Sequence, residues 1–164
     1  MEYSSANSIA LASVSDWQRE VSQWVRGRFG SSSLFDPQER ATRVLEEAFE
    51  LAQAAEIHTV TAAMVMKHVY RRPRGDLKQE AAGLVLTLFA LASAHGFDLL
   101  TETRKEIDRV LAVPIEVSRA RQTFKAEAGI GRRPNPDRDK KEPSRAMKQL
   151  DRDLEPESGR RRQI

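Results

Sequence analysis

The stretch from Ala81 to Ala94 reads AAGLVLTLFALASA and carries no charged side chain. A helix that is apolar on all sides needs cover on all sides. Elsewhere the chain nowhere alternates polar and apolar residues as a half-buried strand does. The sequence therefore predicts an all-α fold in which this helix is central and buried.

Capping residues and helix breakers divide the rest of the folded chain into about five helices. Ser15 or Asp16 can cap the first helix, Pro37 fits the first position of the second, and Gly96 is suited to end the fourth. The predicted helices cover about 16–29, 37–57, 61–70, 77–94 and 99–121, with a kink expected at Pro114. Helices joined by short links predict a helical bundle.

Charge and composition separate a body from a tail. We expect a loose N-terminus over 1–15, one helical domain over 16–125, and a charged, disordered tail over 126–164. The tail is rich in Pro, Gly and charge and cannot bury enough apolar surface to offset its ordering entropy. Two interpretations of it stay open: a solubilising extension, or a basic interaction arm ending in Arg160, Arg161 and Arg162.

The net charge of +3 comes entirely from that tail. Residues 1–125 hold 16 Lys/Arg and 16 Asp/Glu, so nucleic-acid binding is expected only through the tail. The absence of cysteine excludes disulfides and thiolate zinc sites. No basic leader precedes an apolar segment at the N-terminus, and we expect no membrane span. The predicted location is the cytoplasm.

The second predicted helix carries a cluster of carboxylates in the sequence RVLEEAFELAQAA, residues 43–55. Glu46, Glu47 and Glu50 fall on one side of this helix at 100° per residue, and its apolar residues fall on the other. On this helix alone, a solvated face is the simpler interpretation. The alternative is a cation site.

A fourth carboxylate, Glu80, begins the apolar helix and favours that alternative. It heads a stripe of small residues at Gly83, Thr87, Ala90 and Ala94. Such a stripe lets another helix or a ligand approach closely, and a carboxylate placed there needs a partner. The partner could be an arginine from the RRPR segment, or a divalent cation shared with the second helix. Mg²⁺ prefers oxygen ligands of this kind.

These motifs resemble a known family. EEAFE, residues 46–50, is similar to the EExxE motif of the MazG-like all-α nucleoside triphosphate pyrophosphohydrolases. QEAAGLVLTLFALASAHGFDL, residues 79–99, is similar to that family's second motif helix. The RRPRG turn and VSRARQTFKAE resemble a phage and bacterial subgroup of the family. The resemblance covers about residues 16–125.

The resemblance implies a MazG-like four-helix core and conversion of a nucleoside triphosphate to the monophosphate and pyrophosphate with Mg²⁺, or with Mn²⁺. It implies Glu47, Glu50 and Glu80 as metal ligands and Glu46 as the residue that holds or deprotonates the attacking water. The predicted phosphate-binding residues are Arg71, Arg72, Arg74, Lys78 and Lys125.

One departure from the family concerns its ExxD motif, whose aspartate falls on Gly83. The alternative function is therefore a catalytically weak MazG-like module for nucleotide binding or helical interaction. In either case we expect a homo-oligomer, a dimer or tetramer. The apolar fourth helix and the first helix, with Trp17, Val21 and Trp24, offer more apolar surface than a small body can cover.

Overall fold

A computed structural model of the chain describes residues 3–131, in which every regular element is an α-helix. The all-α prediction is confirmed at this level. The MazG-like four-helix core stays a prediction. The helices are α1 (Tyr3–Phe29), α2 (Ser31–Leu34), α3 (Pro37–Ala54), α4 (Thr59–Tyr70), α5 (Leu77–His95), α6 (Leu99–Ala112) and α7 (Ile115–Glu127).

Three boundaries differ from the sequence prediction. The first helix begins at Tyr3, well before the predicted caps, and the short α2 lies in the predicted loop. The predicted fifth helix is two helices, α6 and α7, because Pro114 ends one and begins the other. Val113 is extended at φ −66° and ψ 133°, as the residue before a proline prefers to be. Pro114 then occupies the N-cap of α7.

The predicted helix starts and stops have clear physical causes. Asp36 accepts hydrogen bonds from the backbone N–H groups of Gln38 and Glu39, which opens α3. Asp76 does the same for Lys78 and Gln79 at the start of α5. Gly96 ends α5 with a left-handed φ of 71°, a conformation that costs glycine little.

The chain divides into two compact units. Among the described residues the first comprises 3–42 and 114–131, in which α1 packs against α2 and α7. Arg28 donates a hydrogen bond from Nη1 to Ser118 Oγ at 3.2 Å, and Arg119 donates from Nε to the Arg28 carbonyl at 3.0 Å. These bonds fasten the last turn of α1 to α7, around the buried Val25.

The buried polar residues of the described chain all lie in this first unit. Glu39 is 3% exposed, and its Oε1 lies 3.5 Å from Arg40 Nη2. Arg40 also donates to Ser33 Oγ at 3.2 Å. The junction of α2 and α3 is thus held by buried polar contacts. The four buried polar residues are Ser33, Glu39, Ser118 and Gln122.

The second unit comprises residues 43–113, with the C-terminal part of α3 and all of α4, α5 and α6. Helix α5 contacts α6, and Ala92 and Ile107 are buried. Helix α4 has no buried residue. The predicted disordered tail lies, from residue 132 onward, outside the described residues, and α7 extends to Glu127.

Candidate functional site

The carboxylates of α3 have three different surroundings. Glu46 is half-buried and accepts a hydrogen bond from Arg43 Nη1 at 2.6 Å, so its carboxylate is held in place by an ion pair. Glu47 is exposed and lies close enough to Arg109 of α6 for their charges to attract. Glu50 is exposed and forms no ion pair with any residue from 3 to 131. Of these carboxylates, Glu50 is thus the most available to a ligand.

The turn before α5 places Glu80 beside a basic segment. A Cβ added at Gly75 would overlap Glu80 Oε1, so the glycine gives the carboxylate room to fold back against the turn. Asp76, which lies between them in the sequence, is the N-cap of the helix. The close approach of Glu80 to Gly75 was not predicted from the sequence.

The cations of this turn are exposed and available. Within the described part of the chain they form no ion pair, in contrast to most charges of α6. An unpaired cation in water gives up little when it binds a phosphate oxygen. These cations are Arg71, Arg72, Arg74 and Lys78.

Gly83, at the position where the MazG-like motif has an aspartate, faces open space. A Cβ added there would meet no atom within 4 Å outside its own helix. No contact inside the described chain therefore requires glycine at this position. The cost of glycine in a helix interior, about 1 kcal/mol relative to alanine, has no compensation in the packing of a single copy.

The prediction that α5 is buried is wrong for the single chain, in which only Ala92 of this helix is buried. Leu86 is 70% exposed and Phe89 is 44% exposed. By length and composition, α5 is the one described helix that could cross a membrane, a test that the core helix of a soluble protein also passes. The helix therefore lacks the cover that its composition demands.

The two sides of α3 are likewise exposed in an unexpected way. Val44 is 52% exposed, Leu45 50% and Phe49 44%. The side chains of Arg43 and Glu46, on the other side, are only 19% and 15% exposed. Both sides of α3 are therefore partly exposed in one copy, although the pattern predicts that the apolar side is covered.

Helix α6, by contrast, carries a ladder of ion pairs at helical spacing. Arg104 pairs with Asp108, Lys105 with Glu102, and Arg109 with Glu106. The hydrogen bond from Arg109 lowers the pKa of Glu106 below its ordinary value. In return, Glu106 raises the pKa of Arg109, and the charge of Glu47 adds a smaller attraction. The charged side chains of this face pair with one another, as is usual for a solvated helix surface.

The predicted metal ligands do not converge in one copy. Among residues 3–131, no group of three or more His, Asp or Glu side chains could hold a metal ion. Lys125 lies in the other compact unit and has contacts of its own. The donors are of the type that Mg²⁺ prefers, but their arrangement in the single chain does not fit the ion.

Sequence reasoning missed three residues that shape this region. Arg43 orients Glu46, Arg109 attracts Glu47, and Gly75 makes room for Glu80. Arg43 could have been found from its spacing, since it lies three residues before Glu46 on the same helix. The other two depend on tertiary packing or on a turn conformation.

Comparison with protein-family models, with curated proteins and with solved structures finds no match for this chain.

Proposed function

We propose that the protein is a Mg²⁺-dependent nucleotide pyrophosphohydrolase that converts a nucleoside triphosphate to the monophosphate and pyrophosphate. The observation that carries the proposal is that charged side chains of the right kind are exposed and free to bind a cation or a phosphate. Glu50 and Glu80 are exposed without an ion pair among the described residues, and so are the cations of the turn before α5. The sequence resemblance to MazG-like enzymes supports the same chemistry.

The residues have distinct roles in this proposal. Glu47, Glu50 and Glu80 supply carboxylate oxygens for the divalent cation. That cation, when bound, neutralises phosphate charge and lowers the pKa of a bound water. Glu46 orients the water that attacks the α-phosphorus, because its ion pair with Arg43 fixes its position.

The basic turn acts on the leaving group. Arg71, Arg72 and Arg74 present planar guanidinium groups that can bind two phosphate oxygens at once, and Lys78 adds a point charge. These contacts bind the β- and γ-phosphates and stabilise the charge that develops on departing pyrophosphate.

Product analysis in isotopic water tests this function. The purified full chain is incubated with each common NTP and dNTP in H₂¹⁸O, with Mg²⁺, with Mn²⁺ or with EDTA. We expect monophosphate and pyrophosphate only with metal, and ¹⁸O in the monophosphate, because water attacks the α-phosphorus. Diphosphate product, ¹⁸O confined to pyrophosphate, or turnover in EDTA would contradict the proposal.

A second function is favoured by one specific observation, the glycine at position 83. With the family's aspartate absent, the protein would be a module that binds nucleotides or other helices without efficient catalysis. In that case nucleotide with Mg²⁺ raises the melting temperature, but no monophosphate forms. The Gly83→Asp variant separates the two functions further, because it supplies the aspartate that the motif lacks here. The open space at this position admits the new carboxylate.

We also propose that the protein is cytoplasmic and forms a homo-oligomer, a dimer or tetramer. The large exposed apolar residues of α4 and α5 support this proposal, since such surfaces on a soluble chain usually mark interfaces. The nucleotide base and sugar are to be identified by the same substrate panel.

A further inference from the structure

Helix α5 combines an apolar composition with an exposed surface. From Ala81 to Ala94 it carries no charged side chain, and a helix that is apolar on all sides needs cover on all sides. In the described part of one copy only Ala92 of this helix is buried, while Leu77 is 81% exposed and Leu86 is 70% exposed. The cover must therefore come from outside residues 3–131 of a single copy.

The exposed area of the unit that contains α5 is sufficient for a stable dimer. Full burial of a Leu, Val, Met or Phe side chain corresponds to about 60–120 Å², from about 1.5–3 kcal/mol at about 25 cal/mol per Å². Summed over the large apolar residues of 43–113, most of them about half exposed, this gives on the order of 800 Å² per chain. A standard interface buries about 800 Å² per partner.

The surface of α5 can be buried without stranding a polar group. Thr87 donates its hydroxyl to the Leu84 carbonyl at 2.8 Å, and Ser93 donates to the Phe89 carbonyl at 3.0 Å. Because each hydroxyl already has an acceptor within the helix, covering it removes no necessary hydrogen bond to water. The middle of α5 is thus suited to an apolar partner surface.

The shape of that surface is complementary to itself. Leu86 is the middle residue of α5, and Gly83 and Ala90 lie on the same face, three residues before it and four after it. All three are exposed, and a Cβ added at Gly83 would meet open space. When two α5 helices pack antiparallel at their midpoints, Leu86 of each copy fits against the small residues of the other, as a two-fold axis requires.

The charges at the two ends of α5 select this antiparallel orientation. The turn before the helix is basic, and its Arg74 is exposed. The segment after the helix contains the exposed Asp98 and follows the negative end of the helix dipole. Arg74 and Asp98 each lie twelve residues from Leu86, so antiparallel packing brings the basic end of one copy to the acidic end of the other. Parallel packing would bring two basic turns together.

From these observations we infer that a second copy of the chain covers α5, through an antiparallel contact between the two α5 helices on a two-fold axis at Leu86. Exposed apolar residues of α3 and α4 supply the remaining buried area. The inference rests on the proposed homo-oligomer, for which it names the surface and the orientation of the copies. It does not depend on the proposed hydrolysis.

Single cysteines test the contact, since the chain has none of its own. A disulfide requires two Cα atoms about 4.4–6.8 Å apart. In the antiparallel pair the two residues 86 are adjacent, whereas the two residues 77 are separated by about 27 Å, at 1.5 Å per residue. We expect Leu86→Cys to form a covalent dimer under mild oxidation and Leu77→Cys, which is at least as exposed, to form none.

A mixture of two variants tests the orientation independently of position 86. Leu77 and His95 lie at opposite ends of α5, so Leu77→Cys and His95→Cys chains should cross-link to each other and neither to itself. Non-reducing gels of differently tagged chains measure these products. Leu77→Cys that cross-links to itself as readily as Leu86→Cys shows a parallel or random contact and overturns the inference. Absence of both predicted cross-links also overturns it.

A matched pair of lysine substitutions tests the interface without cysteine. Ala90 on α5 and Ala120 on α7 are both exposed, so lysine fits at either in a single copy. Light scattering at micromolar concentration should give a mass of two or more chains for wild type and Ala120→Lys, and a lower mass for Ala90→Lys. Circular dichroism should show equal helix content in all three. An unchanged mass for Ala90→Lys, or a wild-type monomer, overturns the inference, and a monomer that binds lipid vesicles identifies a membrane as the cover instead.

The same samples separate this inference from the proposed function. An oligomer with the predicted cross-links that releases no pyrophosphate from any nucleotide supports the interface and contradicts the hydrolase. A monomer that hydrolyses nucleotides without either cross-link supports the hydrolase and contradicts the interface.

Discussion

The two compact units differ in which side chains they bury and which they expose. The first, around α1, α2 and α7, encloses polar groups such as Glu39 and Ser118 and supplies partners for them from its own helices. The second, residues 43–113, exposes Leu86 and Met64, 70% and 66% respectively, and buries little. Both units are helical, so secondary structure alone does not explain the difference.

The contrast teaches which part of the chain is complete by itself. Buried polar groups need specific partners, and the first unit provides them for Glu39 and Ser118 within one copy. Apolar helices need only cover, which any complementary apolar surface can provide, including that of a second copy. The proposed site belongs to the unit with exposed apolar helices, and its predicted metal ligands do not converge among the described residues of one chain.

The largest expected effect is the loss of turnover when a predicted metal-ligating glutamate within residues 43–113 loses its charge. Glu50→Gln and Glu80→Gln keep side-chain volume and remove the charge that holds the cation. We expect each variant to lose more activity than the roughly 10–100-fold that is typical when a residue hydrogen-bonded to a metal ligand is removed. Steady-state rates of pyrophosphate release measure this loss.

The matched control for these variants lies in the other unit. Glu116, at the start of α7, is also exposed, and Glu116→Gln should leave turnover unchanged. Circular dichroism should show the same helix content in all three variants. Equal rates for all three would remove the contrast between the units, and with it the assignment of the site.

A smaller effect is the dependence of stability on protein concentration. If a second copy covers 43–113, the folded state gains stability by mass action, and each tenfold dilution reduces it by about 1.4 kcal/mol per dimer. For a dimer of this size the melting temperature then falls by roughly 2 °C per tenfold dilution. Calorimetric scans over a hundredfold concentration range measure it. A melting temperature independent of concentration would show that a single copy is complete.

Much of the helical layout was predictable because its signals are local. Asp36, Asp76 and Gly96 mark helix ends through contacts within a few residues, and the structure has these ends where the sequence predicts them. Pro114 was expected to bend a helix and instead divides it, because the residue before it becomes extended. The start of α1 at Tyr3 had no capping signal to reveal it.

The surroundings of the candidate site were less predictable, because they depend on what lies across from each helix. Periodicity separates the apolar side of α3 from its acidic side, but it does not say which side the same chain covers. The attraction of Glu47 by Arg109, on a different helix, therefore appears only in three dimensions. The metal ligands, the substrate and the oligomeric state stay predictions.

A further prediction concerns a buried polar group of the first unit. Gln122 is 8% exposed, and its Oε1 is buried without a hydrogen-bond donor among residues 3–131. Gln122→Met keeps the length of the side chain and removes the unsatisfied oxygen, so the free energy of unfolding should rise by about 1 kcal/mol. Urea denaturation measures the change, and Gln23→Met, at an exposed position of α1, should leave it unaltered. A loss of stability in Gln122→Met would reveal a partner for that oxygen.

The smallest expected effect is a pH dependence at the start of α6, in the second unit. The backbone N–H of Thr101 donates to Asp98 at 2.7 Å, and this bond lowers the pKa of Asp98 below its ordinary value. Since the folded state favours the ionised carboxylate, the cap contributes its charge-dependent stability above a pH of about 4, and that stability is lost as the pH falls through the lowered pKa. Asparagine caps helices about as well as aspartate but does not titrate. Melting temperatures of wild type and Asp98→Asn, measured from pH 7 to pH 2.5, should therefore differ slightly in favour of wild type at neutral pH and converge in acid. A gap that stays constant across this range would mean that the charge of Asp98 does not stabilise α6.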